Sequence, residues 1–158
     1  MTYSLDELVD KGLEHAKHVL IGVKGAQIVP FFHIQFINGG PPPVVMVTPF
    51  RDDKEKRLVI ASVRATLKEF RPLVDSYSFV TEAWVANQSG PVRSTDLSPS
   101  EREDRRECVI ITAANKDEGV MRCFEIKRSP DATVCELVPE TDKHDRVSGP
   151  LFNLFDDE

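Results

Sequence analysis

The sequence predicts an α+β fold: a mostly antiparallel sheet of about six strands with two helices on one face. Two segments carry apolar residues at helical spacing, and six shorter apolar runs alternate or are bounded by turn residues. The predicted order is α-β-β-α-β, a long polar loop, and then three strands joined by short turns, which is typical of a meander. The helix between the second and third strands allows one parallel pair.

Capping residues mark where both helices begin. Ser4 is followed three residues later by Glu7, which is the capping-box pattern, and apolar residues then recur on one stripe as far as residue 20. Asp52 or Asp53 caps the second helix, which we expect to end near Phe70. The strand-like runs are residues 27–37, 44–48, 74–86, 108–114, 119–128 and 133–138.

The length of 158 residues fits one domain, which we assign to residues 1–138. Residues 139–158 form a predicted acidic C-terminal tail with an apolar docking peptide. The 26 acidic residues outnumber the 20 basic residues, so we do not expect nucleic acid as a partner of the whole molecule.

The expected compartment is the cytoplasm. The first residues lack the basic and apolar regions of a signal peptide, and no apolar run reaches the roughly 20 residues of a membrane span. Cys108, Cys123 and Cys135 lie in separate strand-like runs, so we expect free thiols rather than disulfides. A zinc site is the alternative, but zinc sites usually contain close cysteine pairs. We predict no cofactor.

Glu82 and Trp84 form the first candidate surface, because alternation along a strand points both side chains to one face. Their strand leads into the polar loop 87–106. An acid beside the only tryptophan indicates a pocket or a partner surface. In the alternative, Trp84 belongs to the core and Glu82 pairs with a loop arginine, Arg93 or Arg102.

The second candidate surface is the apolar part of the tail. Its large side chains are Leu151, Phe152, Leu154 and Phe155, followed by Asp156, Asp157 and Glu158. Apolar residues in such a segment indicate docking, either on the protein's own sheet or on a partner or second copy. The segment also resembles the terminal Leu-Phe peptides with which bacterial proteins bind the replication sliding clamp.

Glu125 and Lys127 are the only candidate catalytic pair, because Glu-x-Lys on a strand places both side chains on one face. The pair resembles half of the PD-(D/E)xK nuclease motif, in which acids hold magnesium. Asp75 or Glu82 would have to supply the earlier acid. The alternative is a solvated strand face with ion pairs. His15 and His18, one helical turn apart, are expected to be surface residues.

The segment Phe79–Trp84, the loop after it, and the run Asp104–Ile110 resemble small uncharacterised bacterial and phage proteins. The likeness spans residues 74–127 and implies a bacterial or phage setting without an activity.

These observations predict a non-enzymatic cytoplasmic protein-interaction module acting through its tail and the 87–106 loop. A regulator or a phage-type inhibitor is one form of this prediction, and the partner is another protein or a second copy. One alternative is a magnesium-dependent nuclease or related hydrolase using Glu125 and Lys127. The other is a small-molecule binding domain with a pocket against Trp84.

Overall fold

The computed structural model describes residues 2–85, 103 and 105–140, and it has the predicted α+β class. Its helices are α1 (Leu5–Leu20) and α2 (Asp53–Leu67), and a short 3-10 turn covers Arg71–Leu73. The strands are β1 (Phe31–Phe36), β2 (Val44–Val47), β3 (Val74–Val85), β4 (Arg106–Asn115), β5 (Gly119–Arg128) and β6 (Val134–Pro139). Neither α1 nor α2 is long and apolar enough to cross a membrane.

The six strands form one sheet in the order β2-β1-β3-β4-β5-β6. Every neighbouring pair is antiparallel. The parallel pair that the sequence allowed does not form, because α2 and the 3-10 turn bring β3 beside β1 in the opposite direction. Phe31 then lies opposite Val80, and Ile34 lies opposite Tyr77.

Helix α1 begins where the sequence predicts and packs closely on the sheet. The Ser4 hydroxyl oxygen accepts a hydrogen bond from the Glu7 amide at 3.2 Å, and the Glu7 carboxylate accepts one from the Ser4 amide, so the capping box is confirmed. A Cβ atom at Gly12 would lie 3.0 Å from Cγ2 of Val80. Glycine therefore lets the helix approach β3.

The two helices lie on opposite faces of the sheet, so the prediction that they share one face is wrong. Phe31 and Val80 belong to the buried cluster that α1 covers, whereas Phe32 and Phe79 belong to the cluster that α2 covers. Neighbouring residues of a strand point to opposite faces. Each face of β1 carries a buried phenylalanine, Phe31 on one side and Phe32 on the other, and the local pattern does not show which helix covers which face.

Helix α2 buries a narrow apolar stripe. Asp52 caps it by accepting a hydrogen bond from the Glu55 amide at 2.8 Å. Ile60, Val63 and Leu67 are buried, whereas Leu58 is 62% exposed.

The two outer edges of the sheet differ. On β2, Val45 is 60% and Val47 is 63% exposed. The start of β6 is instead covered by the segment that follows α1. Ile21 forms a β-bridge with Val134, and the Gly22 amide donates a hydrogen bond to the Val134 carbonyl at 2.9 Å. Among the residues that the structure describes, no strand pairs with the outer side of β2.

Candidate functional sites

Trp84 lies at the surface on the α1 side of the sheet, as does Glu82. Its side chain is 44% exposed, and the guanidinium carbon of Arg105 lies 4.7 Å from the ring centroid. The alternative that Trp84 is a core residue is therefore wrong. An exposed tryptophan stacked with an arginine combines the residue types that are enriched in interface hot spots.

Glu82 binds a backbone amide in the described structure. Its carboxylate oxygen accepts a hydrogen bond from the Ile28 amide at 2.7 Å. Burial is the main cause that raises the pKa of Glu82, and the neighbouring Glu107 raises it further, whereas the Ile28 hydrogen bond and Arg128 lower it. The predicted arginine partners, Arg93 and Arg102, lie outside the described residues.

Arg128 of β5 links β4 and the turn before β6 to the segment before β1. It binds both carboxylate oxygens of Glu107, with Nε at 2.8 Å and Nη2 at 2.7 Å. It also donates to the carbonyl oxygens of Ala26 and Ala132, each at 3.0 Å. The Glu107 hydrogen bonds raise the pKa of Arg128. The bidentate ion pair fixes the guanidinium group, and its hydrogen bond to Ala26 holds the chain between α1 and β1 against the end of the sheet.

A small cavity of about 290 Å³ lies against Trp84. Glu82, Phe50 and Pro30 are among its lining residues. The volume falls at the lower limit of small-molecule sites, and ligand binding beside Trp84 stays a prediction.

A larger cavity of about 710 Å³ lies between α1 and the β1–β2 edge. Phe31, Val45 and Val47 line it from the sheet, and His15 and His18 line it from α1. The His15 ring makes an edge contact with Phe31 at a centroid distance of 4.8 Å. The sequence did not reveal this groove, because it depends on how far α1 lies from the edge strand.

His33 also lines the larger cavity, and its environment disfavours the charged form. Burial lowers the pKa of His33, and the positive charge of Lys11 lowers it further. In the described part of the chain, the three histidines of the cavity do not form a compact metal-ligand group.

Two cysteines and a glutamate meet on the sheet face opposite α1. Cys123 pairs with Ile110 across β4 and β5, which makes Cys108 its diagonal neighbour on the same face. The Cys108 sulfur lies 3.8 Å from a Glu140 oxygen, and the three ligand atoms all lie within 4.8 Å of one another.

A hydrogen bond between the two thiols distinguishes their pKa values. This hydrogen bond is the largest cause that raises the pKa of Cys108 and the largest cause that lowers the pKa of Cys123. Burial also raises the pKa of Cys108, which is fully buried. Cys135 is exposed on β6, away from this cluster.

Glu125 and Lys127 share a face, as predicted, and form an ion pair of 3.1 Å. Glu82 lies on the opposite face, because it pairs with Val109 of the α1 cluster. Asp75 lies at the other end of β3, roughly 26 Å along the strand at about 3.3 Å per residue. Neither acid proposed from the sequence is placed to share a magnesium ion with Glu125.

Several predicted site residues lie outside the described structure. They are Arg93, Arg102, Leu151, Phe152, Leu154 and Phe155. Their contribution to a partner surface stays a prediction.

No family model matches the chain, and neither a curated protein nor a solved structure matches it significantly.

Proposed function

We propose that the protein is an interaction module that pairs edge strand β2 with β2 of a second copy. The observation that carries this proposal is the exposure of Val45 and Val47 on an apolar sheet edge. Exposed edges are templates for strand addition, and proteins usually protect them with charged side chains. The segment 37–50 contains no charged residue.

The backbone of β2 supports this pairing. The Thr48 amide donates to the Pro30 carbonyl at 2.7 Å, so Thr48 and Met46 direct their hydrogen-bonding groups toward β1. The alternating residues Val45 and Val47 therefore direct theirs outward. In an antiparallel pair, Val45 of one copy bonds Val47 of the other, and the two-fold axis passes beside Met46.

Charge restricts where a second copy can approach. The chain carries a net charge of −6, so two copies repel each other over most of their surfaces. The uncharged segment 37–50 is where two copies approach with the least repulsion. The pairing also joins Val45 and Val47 of both copies into one apolar cluster on the α1 side.

Two further surfaces remain part of the proposal. Trp84 with Arg105 offers a site for another protein, and the tail peptide Leu151–Phe155 and the 87–106 loop stay predicted contacts of a regulator or phage-type inhibitor. We propose the cytoplasm as the setting, because the three cysteines are free thiols and free thiols are typical of reducing compartments.

The test of the proposed function is the mass of the full chain in solution. We expect light scattering to show a concentration-dependent dimer for the wild type and a monomer for Val47→Lys, because an edge lysine blocks strand addition. Leu58→Lys is the matched control, since Leu58 is 62% and Val47 63% exposed. It should remain dimeric. A monomeric wild type, or equal masses for both variants, would overturn the proposal.

The larger cavity supports a second candidate function, the binding of a small molecule. Its volume of about 710 Å³ lies within the range of ligand pockets, and it combines an apolar floor with Lys11 and three histidines. These residues suit a small aromatic carboxylate. A thermal-shift titration with benzoate should stabilise the wild type but not His15→Leu. No shift in either protein would contradict this candidate.

A further inference from the structure

We infer that Cys108, Cys123 and Glu140 form a binding site for a soft divalent cation of the zinc class. Their three ligand atoms lie within 4.8 Å of one another. The site lies on the face opposite α1, so it does not depend on the pairing of β2.

The sheet itself holds the three ligands in place. Cys108 and Cys123 are diagonal neighbours across the β4–β5 ladder. The Glu140 amide donates to the Cys123 carbonyl at 2.9 Å, which fixes Glu140 beside Cys123 just after β6. Ligands carried by paired strands keep their spacing better than ligands carried by loops.

The ligand types select the metal. Thiolates favour zinc and other soft ions, whereas magnesium and calcium prefer sets made only of oxygen ligands. Two sulfurs and one carboxylate give three protein ligands, which leaves the fourth tetrahedral position to water or to another ligand. When the metal binds, each thiol transfers its proton to solvent, and the metal keeps its charge of +2.

The charges balance when the metal is present. The Arg106 Nε atom donates to Glu140 Oε1 at 2.9 Å. Two thiolates and one carboxylate carry three negative charges, which the divalent ion and Arg106 neutralise. Arg106 also orients the Glu140 carboxylate, in the way that hydrogen-bonded neighbours orient the ligands of metal sites.

A cadmium titration of the full, reduced chain tests the site, because cadmium bound to thiolate has an ultraviolet charge-transfer band. We expect saturation at one cadmium ion per chain and competition by zinc. Cys123→Ser should weaken binding about 100-fold or more, and Glu140→Gln should weaken it about tenfold. Cys135→Ser is the control, since Cys135 is exposed and outside the cluster. It should bind as the wild type does.

Two results would overturn the proposal. One is the absence of the thiolate band in the wild type, and the other is an equal loss of binding in Cys135→Ser and Cys123→Ser. Circular dichroism establishes that each variant folds. If Cys123→Ser is unfolded, Glu140→Gln keeps both thiols and decides the question alone, because unchanged affinity in that variant would remove Glu140 from the site.

Discussion

The two edges of the sheet are built in opposite ways. The edge strand β2 exposes Val45 and Val47, and the segment 37–50 around it is uncharged. The start of β6 pairs with the segment that follows α1, and its neighbour Glu136 is exposed and charged. Pairing and charge both protect an edge, and β6 has both, whereas β2 has only its short length and the prolines on either side of it.

We expect the covered edge at β6 to affect the stability of the fold, and the open edge at β2 to affect association with a second copy. The chain that covers the start of β6 is held by Arg128, so changes there should affect unfolding. The side chains of Val45 and Val47 are largely exposed, so changes there should affect contact with a second copy rather than the free energy of unfolding.

The largest effect on stability should come from removing the arginine that holds the covered edge. Arg128→Met leaves the Glu107 carboxylate, which is 24% exposed, without its cation and removes the donor to the Ala26 carbonyl. We expect a loss of about 2 kcal/mol in the free energy of unfolding, measured with urea.

Arg51→Met is the matched control, because Arg51 also pairs with a glutamate but its side chain is 89% exposed. It should leave the urea midpoint unchanged. Equal losses in the two variants would show that Arg128 does not hold the covered edge.

A smaller effect should follow from Glu82→Gln. The folded state raises the pKa of Glu82 and so binds its proton more tightly, which means that its contribution is favourable at low pH and is lost as the pH rises through the folded pKa. The amide side chain of this variant keeps an oxygen that accepts from the Ile28 amide.

The Glu82→Gln variant should therefore be slightly more stable than the wild type at pH 7, and equally stable below about pH 4, in thermal melts across pH. Glu55→Gln should give no such gain at pH 7, because Arg51 lowers rather than raises the pKa of Glu55. A less stable Glu82→Gln at neutral pH would contradict the assignment of burial as the main cause.

The smallest expected effect is on the pKa of His33, which lies on β1 next to the open edge strand β2. His33 pairs with Val45, and burial lowers its pKa below 6.5, with a smaller contribution from Lys11. An NMR titration should give a midpoint below 6.5 in the wild type. Lys11→Met should raise the midpoint only part of the way, because burial remains. Full recovery in that variant would make Lys11 the main cause.

The sequence predicted the elements well because their signals are local. The capping box of Ser4 and Glu7, and the alternation along β1 and β3, depend on residues close together in the chain. The side of the sheet on which each helix lies depends instead on contacts between distant segments, and the neighbouring Phe31 and Phe32 give each face of β1 a buried aromatic residue.

The candidate sites were less predictable for the same reason. Cys108 and Cys123 lack the close spacing of a zinc motif, and only the β4–β5 register brings their sulfurs together. The cavity beside His33 depends on the packing of α1. Glu82 and Trp84 were found because strand alternation places them on one face, yet the sequence could not show that Trp84 is exposed.

The most direct test of the open edge is amide hydrogen exchange at several concentrations of the full chain. The Met46 amide faces β1 and should be protected at every concentration. The Val45 and Val47 amides should exchange rapidly in dilute solution and become protected as the dimer forms. Rapid exchange of both amides at the highest concentration would contradict the pairing of β2 with a second copy.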